Sequence, residues 1–246
     1  MEHATLEFGD GRRIAYHRSL GQGPGVVFLG GFRSDMTGTK ARFLEAWAKA
    51  RGQAYLRFDY TGHGTSSGDA EAGAIGDWAR DAQDAVVRLT EGPQVLVGSS
   101  MGGWIALILA GRIPGRIAGL VGIAAAPDFT EDAMWAGMDA PARAKLLAGG
   151  RIELPTEYGD APYAITRRLI EDGRRHLVLR TPLELDFAVR LLHGTADRDV
   201  DLSVALRLLA HATGPDIRLN IVKDADHRFS APENLELIAR TVEEML

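Results

Sequence analysis

The chain is predicted to be an α/β protein: one mostly parallel sheet of eight strands with helices on both faces. Short apolar runs alternate with longer stretches whose apolar residues recur every three or four positions. No Pro/Gly/Ser linker or low-complexity tract divides the 246 residues, so they read as one domain, 1–246. One segment, about 127–187, interrupts the alternation and reads as an inserted helical cap.

The elements follow in order. ATLEF (4–8) and RRIAYHR (12–18), joined by Gly9-Asp10-Gly11, form an antiparallel hairpin. GVVFL (25–29), AYLRFD (54–59), QVLVG (94–98), AGLVGIAA (118–125), AVRLLH (188–193) and IRLNIV (217–222) are short apolar runs expected to be buried strands. Helical spacing covers about 38–51, 75–90, 100–111, 203–212 and 232–245. The insertion carries Phe129, Met134, Trp135, Met138, Leu146, Leu147, Tyr158 and Tyr163. These residues either dock it on the main domain or form a lid that touches substrate.

Composition excludes several classes. A net charge of -5 gives no nucleic-acid footprint, and no run approaches the roughly 18 apolar residues of a membrane helix. The absence of cysteine removes disulfides, thiolate metal sites and a cysteine nucleophile. With no signal-peptide core at the amino terminus, a cytoplasmic location is expected. Arg167, Arg168, Arg174, Arg175 and Arg180 are interrupted by Glu171 and Asp172 and read as a solvated face rather than an anion site.

Gly98-Ser99-Ser100-Met101-Gly102 is a G-x-S-x-G between a strand and a helix, the setting of a nucleophile elbow. The central serine takes a strained backbone, so its neighbours must be small; Gly98 and Gly102 let the turn close, and Gly103 lets helix and strand pack. Ser100 is therefore the candidate nucleophile, and Ser99 is its neighbour. A serine hydroxyl needs a base to take its proton. Of seven histidines, His3 and His17 lie in the hairpin, His176 in the cap and His211 on a helix. His63 reads as a turn residue in a glycine-rich loop, and His193 as a structural residue before Gly194. His227 follows the last strand and is the candidate base. Asp197, preferred to Asp199, follows the preceding strand and would orient it. Ser100, Asp197 and His227 stand in the chain order of an α/β-hydrolase triad. The oxyanion that forms on a carbonyl requires two N–H donors. Met101, after the nucleophile, and Phe32, after Gly30-Gly31, are assigned to it.

LGGFRSDMTGTKA, LRFDYTGHGTSSG, VLVGSSMGGW, RLLHGTADRDV and KDADHR together resemble the α/β-hydrolase superfamily. Within it they are similar to the subfamily of mycophenolic acid acyl-glucuronide esterases and palmitoyl-protein thioesterases. The resemblance runs from about residue 24 to the end. It implies Ser100, Asp197 and His227 as nucleophile, acid and base, and a fatty-acyl thioester or acyl glucuronide as substrate. The expected partner is a small acyl ester or thioester, or an acylated protein, with no cofactor and no metal. Trp104, Met134, Trp135 and Met138 are the candidate substrate contacts. The alternatives are a general short-chain carboxylesterase and a non-catalytic protein of the same fold that binds a ligand under its cap. Oligomeric state stays open.

Overall fold

The computed structural model describes residues 3–154 and 163–246. Its sheet contains β1 (Ala4–Glu7), β2 (Arg13–Ser19), β3 (Gln22–Leu29), β4 (Gln53–Phe58), β5 (Gln94–Ser99), β6 (Ile117–Ile123), β7 (Ala188–Gly194) and β8 (Ile217–Val222). Their order across the sheet is β1-β2-β4-β3-β5-β6-β7-β8. The pairs β1–β2 and β2–β4 are antiparallel and the rest parallel. All eight strands expected from the sequence are present in this single sheet.

Burial explains which runs occupy the centre. Every residue of β5 is buried, as are most of β3, β6 and β7, because parallel strands covered on both faces must be apolar on both. At the edges the pattern relaxes: β1 is mostly exposed and β8 alternates. Helices α1 (Thr39–Arg51) and α7 (Pro232–Glu243) cover one face, where Leu44, Trp47, Ile238 and Val242 pack on Val95, Val97 and Val121. The other face carries α2 (Ile75–Leu89) and α3 (Met101–Arg112), with Trp78, Ala82 and Val86 against Leu96 and Leu120. Helix α3 is buried from Met101 through Ala110, since the sheet lies under it and the cap over it.

The insertion departs from the expected all-helical cap. It contains a π-helical turn (Thr130–Trp135), α4 (Ala140–Gly149) and α5 (Arg167–Gly173), but also an antiparallel pair of Arg151–Leu154 with Tyr163–Thr166. Four-residue strands are too short to register a two-residue alternation, so the sequence carried no strand signal there. Tyr158 lies outside the described residues. After the cap, Leu183–Glu184 pairs with Ala212–Thr213, which follow α6 (Leu202–His211).

One buried carboxylate closes the base of the cap. Asp128, with φ 59° and its side chain wholly buried, accepts the N–H groups of Val178 (2.8 Å) and Leu179 (3.1 Å) and a guanidinium N–H of Arg180 (2.6 Å). Asp132 pairs with Arg180 and with Arg207 (2.7 Å). The exit and return of the inserted chain are thereby joined. Replacing Asp128 by Ala strands two amides and leaves Arg180 only Asp132 as a partner, and should lower the unfolding free energy by roughly 3 kcal/mol. Urea denaturation would measure this, and a loss under about 1 kcal/mol would show that the clamp does not hold the cap.

Candidate active site

The strand ends carry the site. Parallel pairing aligns the carboxyl ends of β3, β5, β6 and β7, with Leu29 opposite Gly98, Ser99 opposite Ile123 and Ile123 opposite Leu192. Loops leaving these strands converge on one edge.

Ser100 joins β5 to α3 with φ 54° and ψ −117°, a conformation that costs about 1–3 kcal/mol in a non-glycine residue. Three main-chain bonds hold it. Its N–H donates to Ile123 C=O (2.9 Å), and its carbonyl accepts from Gly103 (2.9 Å) and Ala126 (3.1 Å). The glycines are required by backbone approach: a Cβ on Gly98 would lie 2.4 Å from the Gly102 oxygen, and one on Gly102 2.0 Å from the Leu29 oxygen. A Cβ on Gly103 would lie 2.5 Å from the Ala125 Cβ, so this helix packs on the chain after β6 as well as on its own strand. Ser99 is buried, and Ser100 is partly exposed.

Asp197 and His227 meet as a pair. Both carboxylate oxygens lie at hydrogen-bond distance from His227 Nδ1, Oδ2 at 2.9 Å and Oδ1 at 3.1 Å. A carboxylate only accepts, so Nδ1 carries a proton, and the neutral form of the ring has its lone pair on Nε2. The Asp197 carboxylate is fully enclosed and also accepts the amides of Asp199 and Val200, each at 2.9 Å. Burial alone would raise its pKa, but the bond from His227 and the two amides overcome that and hold it below the ordinary carboxylate value. Asp199 is exposed, and its carboxylate stands within 4.8 Å of the pair. The two loops are bonded to each other, with the Ala196 N–H on Ala225 C=O (3.0 Å) and the Asp224 N–H on Thr195 Oγ1 (2.8 Å). His193 is buried beneath them, its Nε2–H donating to Val200 C=O (2.9 Å).

The loop after β3 passes over the elbow. A Cβ on Gly31 would touch the Ser100 Cβ at 3.5 Å. Among the described residues, neither the Phe32 N–H nor the Met101 N–H finds an acceptor. The Phe32 ring meets Tyr163 (5.6 Å), Trp78 (5.8 Å) and Phe129 (6.0 Å), which joins this loop to the cap.

Three residues fix these loops in ways the sequence does not show: His63 reads there only as a turn residue, and Asp59 and Lys40 carry no role. Asp59, the first residue after β4, accepts the Met36 N–H (2.6 Å), and His63 Nε2 accepts the Arg33 N–H (3.2 Å). Burial lowers the His63 pKa, opposed by the Thr61 carbonyl and aided by Arg33, and the neutral ring is the form that can accept. Lys40, from the G-T-K triplet, donates to the Arg228 carbonyl beside His227. Burial brings Lys40 down to about 8, against the opposing pull of Asp226. The available signal was a glycine-rich loop opening on an acid, which the sequence alone marks only as architecture.

The four candidate substrate contacts are divided in this structure. Trp104 is fully buried, donates its indole N–H to His176 C=O (3.0 Å) and meets Phe129 edge-on at 5.6 Å. Met138 is buried, and Met134 is half-buried against the same core. Trp135 packs partly against that core as well, and its ring also lies against the guanidinium groups of Arg174 (4.6 Å) and Arg143 (5.1 Å). The arginine-rich surface is ion-paired: Arg167 with Glu171 (2.6 Å), Arg168 with Asp77 (2.7 Å) and Arg174 with Glu131 (2.6 Å).

A nucleophile-type elbow at the end of a central strand, with an Asp–His pair on the loops after the last two strands, defines an α/β hydrolase. The Alpha/beta hydrolase family model matches residues 26–241, and the chain belongs to that family and is a hydrolase. Palmitoyl-protein thioesterase ABHD10, mitochondrial, from Bos taurus is 32% identical over 234 residues, covering 95% of this chain and 76% of that protein. Its Homo sapiens counterpart is 31% identical over the same shares. Among solved structures, a putative hydrolase from Agrobacterium vitis S4 matches with a TM-score of 0.94 and 37% identity, covering 99% of this chain and 98% of that one. Mouse alpha/beta hydrolase domain-containing protein 10 matches at 0.92 and 31%, covering 100% and 98%. The resemblance read from the motifs is thus borne out. The expected cytoplasmic location is not: these curated relatives are mitochondrial proteins. Lack of cysteine reports only that no disulfide is needed, and it does not distinguish compartments.

The elbow makes a stability prediction that does not depend on chemistry. Gly102→Ala must push the β3–loop backbone away from α3, and should destabilise the fold by about 1–3 kcal/mol or more. Gly111→Ala, in the same helix with nothing within 4 Å, is the control and should not destabilise. Equal unfolding midpoints for the two variants would refute the packing argument.

Proposed function

We propose that the chain is a serine hydrolase that cleaves acyl thioesters or carboxylic esters through an acyl-enzyme. The observation carrying this reading is the Asp197–His227 pair, with Nδ1 protonated, on the same sheet edge as the strained Ser100. In the proposed reaction His227 Nε2 takes the Ser100 proton as Oγ attacks the carbonyl carbon. The oxygen that becomes negative is held by the Phe32 and Met101 N–H groups, which are fixed beforehand and need no reorganisation. His227 then gives its proton to the departing sulfur or oxygen. Water enters by the same base, attacks the acyl carbon, and releases the acid. No step requires a metal or organic cofactor.

Thioester substrates are favoured because the curated relatives are named palmitoyl-protein thioesterases, so the substrate is an acylated protein or a smaller acyl thioester. Phe32, Phe129 and Tyr163, backed by Trp104 and flanked by Met134, supply an apolar wall suited to an acyl chain.

Ser100→Ala should lower kcat by about 10⁶ and abolish fluorophosphonate labelling, while Ser99→Ala keeps substantial activity. Asp197→Asn should cost about 10⁴, because the amide imposes the wrong imidazole tautomer, and Asp199→Asn should be mild. Equal effects within either pair would reject the assignment. Because Asp197 is held below the ordinary carboxylate range, it stays charged in mildly acidic solution. A fall of kcat/KM in mildly acidic solution therefore does not come from protonation of Asp197.

Chain length tests the acyl site. Each buried methylene contributes about 0.8 kcal/mol, close to fourfold in kcat/KM if realised in the transition state. A series of thioesters from acetyl to palmitoyl should rise and then level off. A maximum at acetyl would instead favour a short-chain carboxylesterase.

A further inference from the structure

Arg33 follows Phe32 in the loop over the elbow, and its electrostatic situation differs from that of the ion-paired arginines of the cap. Arg167, Arg168, Arg174 and Arg180 each face a carboxylate within 4.0 Å. Among the described residues Arg33 faces none. Its Nε–H is buried with no acceptor. One Nη2 contact, 3.5 Å from Ala164 C=O on the cap strand, is a long bond for a group with five donors. The backbone that aims it is constrained: φ is 58°, a conformation that disfavours any side chain, and the N–H is tied to His63 Nε2 at 3.2 Å. A strained main chain therefore delivers to the seam between loop and cap a cation that no carboxylate among the described residues neutralises. Its guanidinium carbon stands 5.6 Å from the Phe32 ring centroid.

Leaving a buried N–H unpaired is unfavourable, and a planar guanidinium is best completed by a planar or tetrahedral oxyanion that accepts two N–H bonds at once. We propose that Arg33 is a substrate-recognition residue that binds a carboxylate or phosphate borne by the substrate, beside the acyl wall formed by Phe32, Phe129 and Tyr163. The inference rests on the acyl-transfer reading of Ser100 and deepens it: the preferred substrates are acyl esters or thioesters carrying a negative charge. That charge sits either on the acyl part or on the leaving group.

Matched substrate pairs test this and separate the two locations. The acyl arm compares mono-p-nitrophenyl adipate with p-nitrophenyl hexanoate; the leaving-group arm compares 3-carboxyphenyl butyrate with 3-carbamoylphenyl butyrate. The quantity read is the ratio of kcat/KM for the charged to the neutral member. In the unaltered protein one arm should favour the charged member. Arg33→Gln should lower that ratio at least tenfold, Arg33→Lys should restore part of it, and added salt should lower it in the unaltered protein but not in Arg33→Gln. A purely structural role would reduce both members of a pair together and leave the ratio unmoved, which would overturn the proposal. Preference for the neutral member in both arms would overturn it as well. Turnover of neutral esters with fluorophosphonate labelling would then leave the acyl-transfer reading standing. Absence of both would remove that reading and the Arg33 proposal together.

Discussion

The site depends on backbone meeting backbone with no side chain between. Where Gly102 faces the Leu29 carbonyl and Gly98 faces Gly102, the main chains of β3, β5 and α3 come closer than any Cβ permits. This contact forces Ser100 out of both strand and helix geometry, so that its side chain leaves the sheet edge instead of entering the core. The restraint is supplied by neighbours: the carbonyl of Ile123 on one side and the amides of Gly103 and Ala126 on the other. A strained residue persists only when its surroundings over-determine it, and here three main-chain bonds, from the end of β6 and the chain just after it and from α3, do so.

Around that contact, buried polar groups fix the loops. Asp59 and His63 hold the loop after β3, Asp197 gathers its own following amides, and Lys40 reaches the carbonyl next to His227. Each of these groups is buried or half-buried, and each bond goes to main chain rather than to another side chain. That choice suits positioning, since a main-chain partner carries the whole loop with it. The elbow and these loops act at one edge because parallel register aligns the strand ends, so precision in the sheet becomes precision in the site.

Much of this was legible in the sequence. The central strands are continuous apolar runs, which is what two-sided burial demands, and GSSMGG declares its turn through glycine. What the sequence concealed falls into two kinds. The short strands Arg151–Leu154 and Tyr163–Thr166 offer too few inward positions for a period to show. Bonds across the fold, such as His63 to Arg33 or Asp128 to Val178, join residues 30 and 50 apart, and local pattern holds no trace of such pairings. Trp104 illustrates the same limit: its place after the nucleophile is readable, whereas the anchorage of its indole N–H on the His176 carbonyl is a property of the folded cap.

The clamp at Asp128 has a consequence for how such proteins diversify. Since Asp128 binds the amides of Val178 and Leu179 directly, the inserted chain leaves and returns at a single point, and β6 and β7 pair side by side beneath it. From the viewpoint of the sheet the insertion is a closed ring attached at one stem. Doubling the length of a flexible ring adds only about 0.6 kcal/mol of closure entropy. The stem can therefore accept caps of very different size and sequence while the register of the strands beneath it, and everything that register aligns, stays as it is.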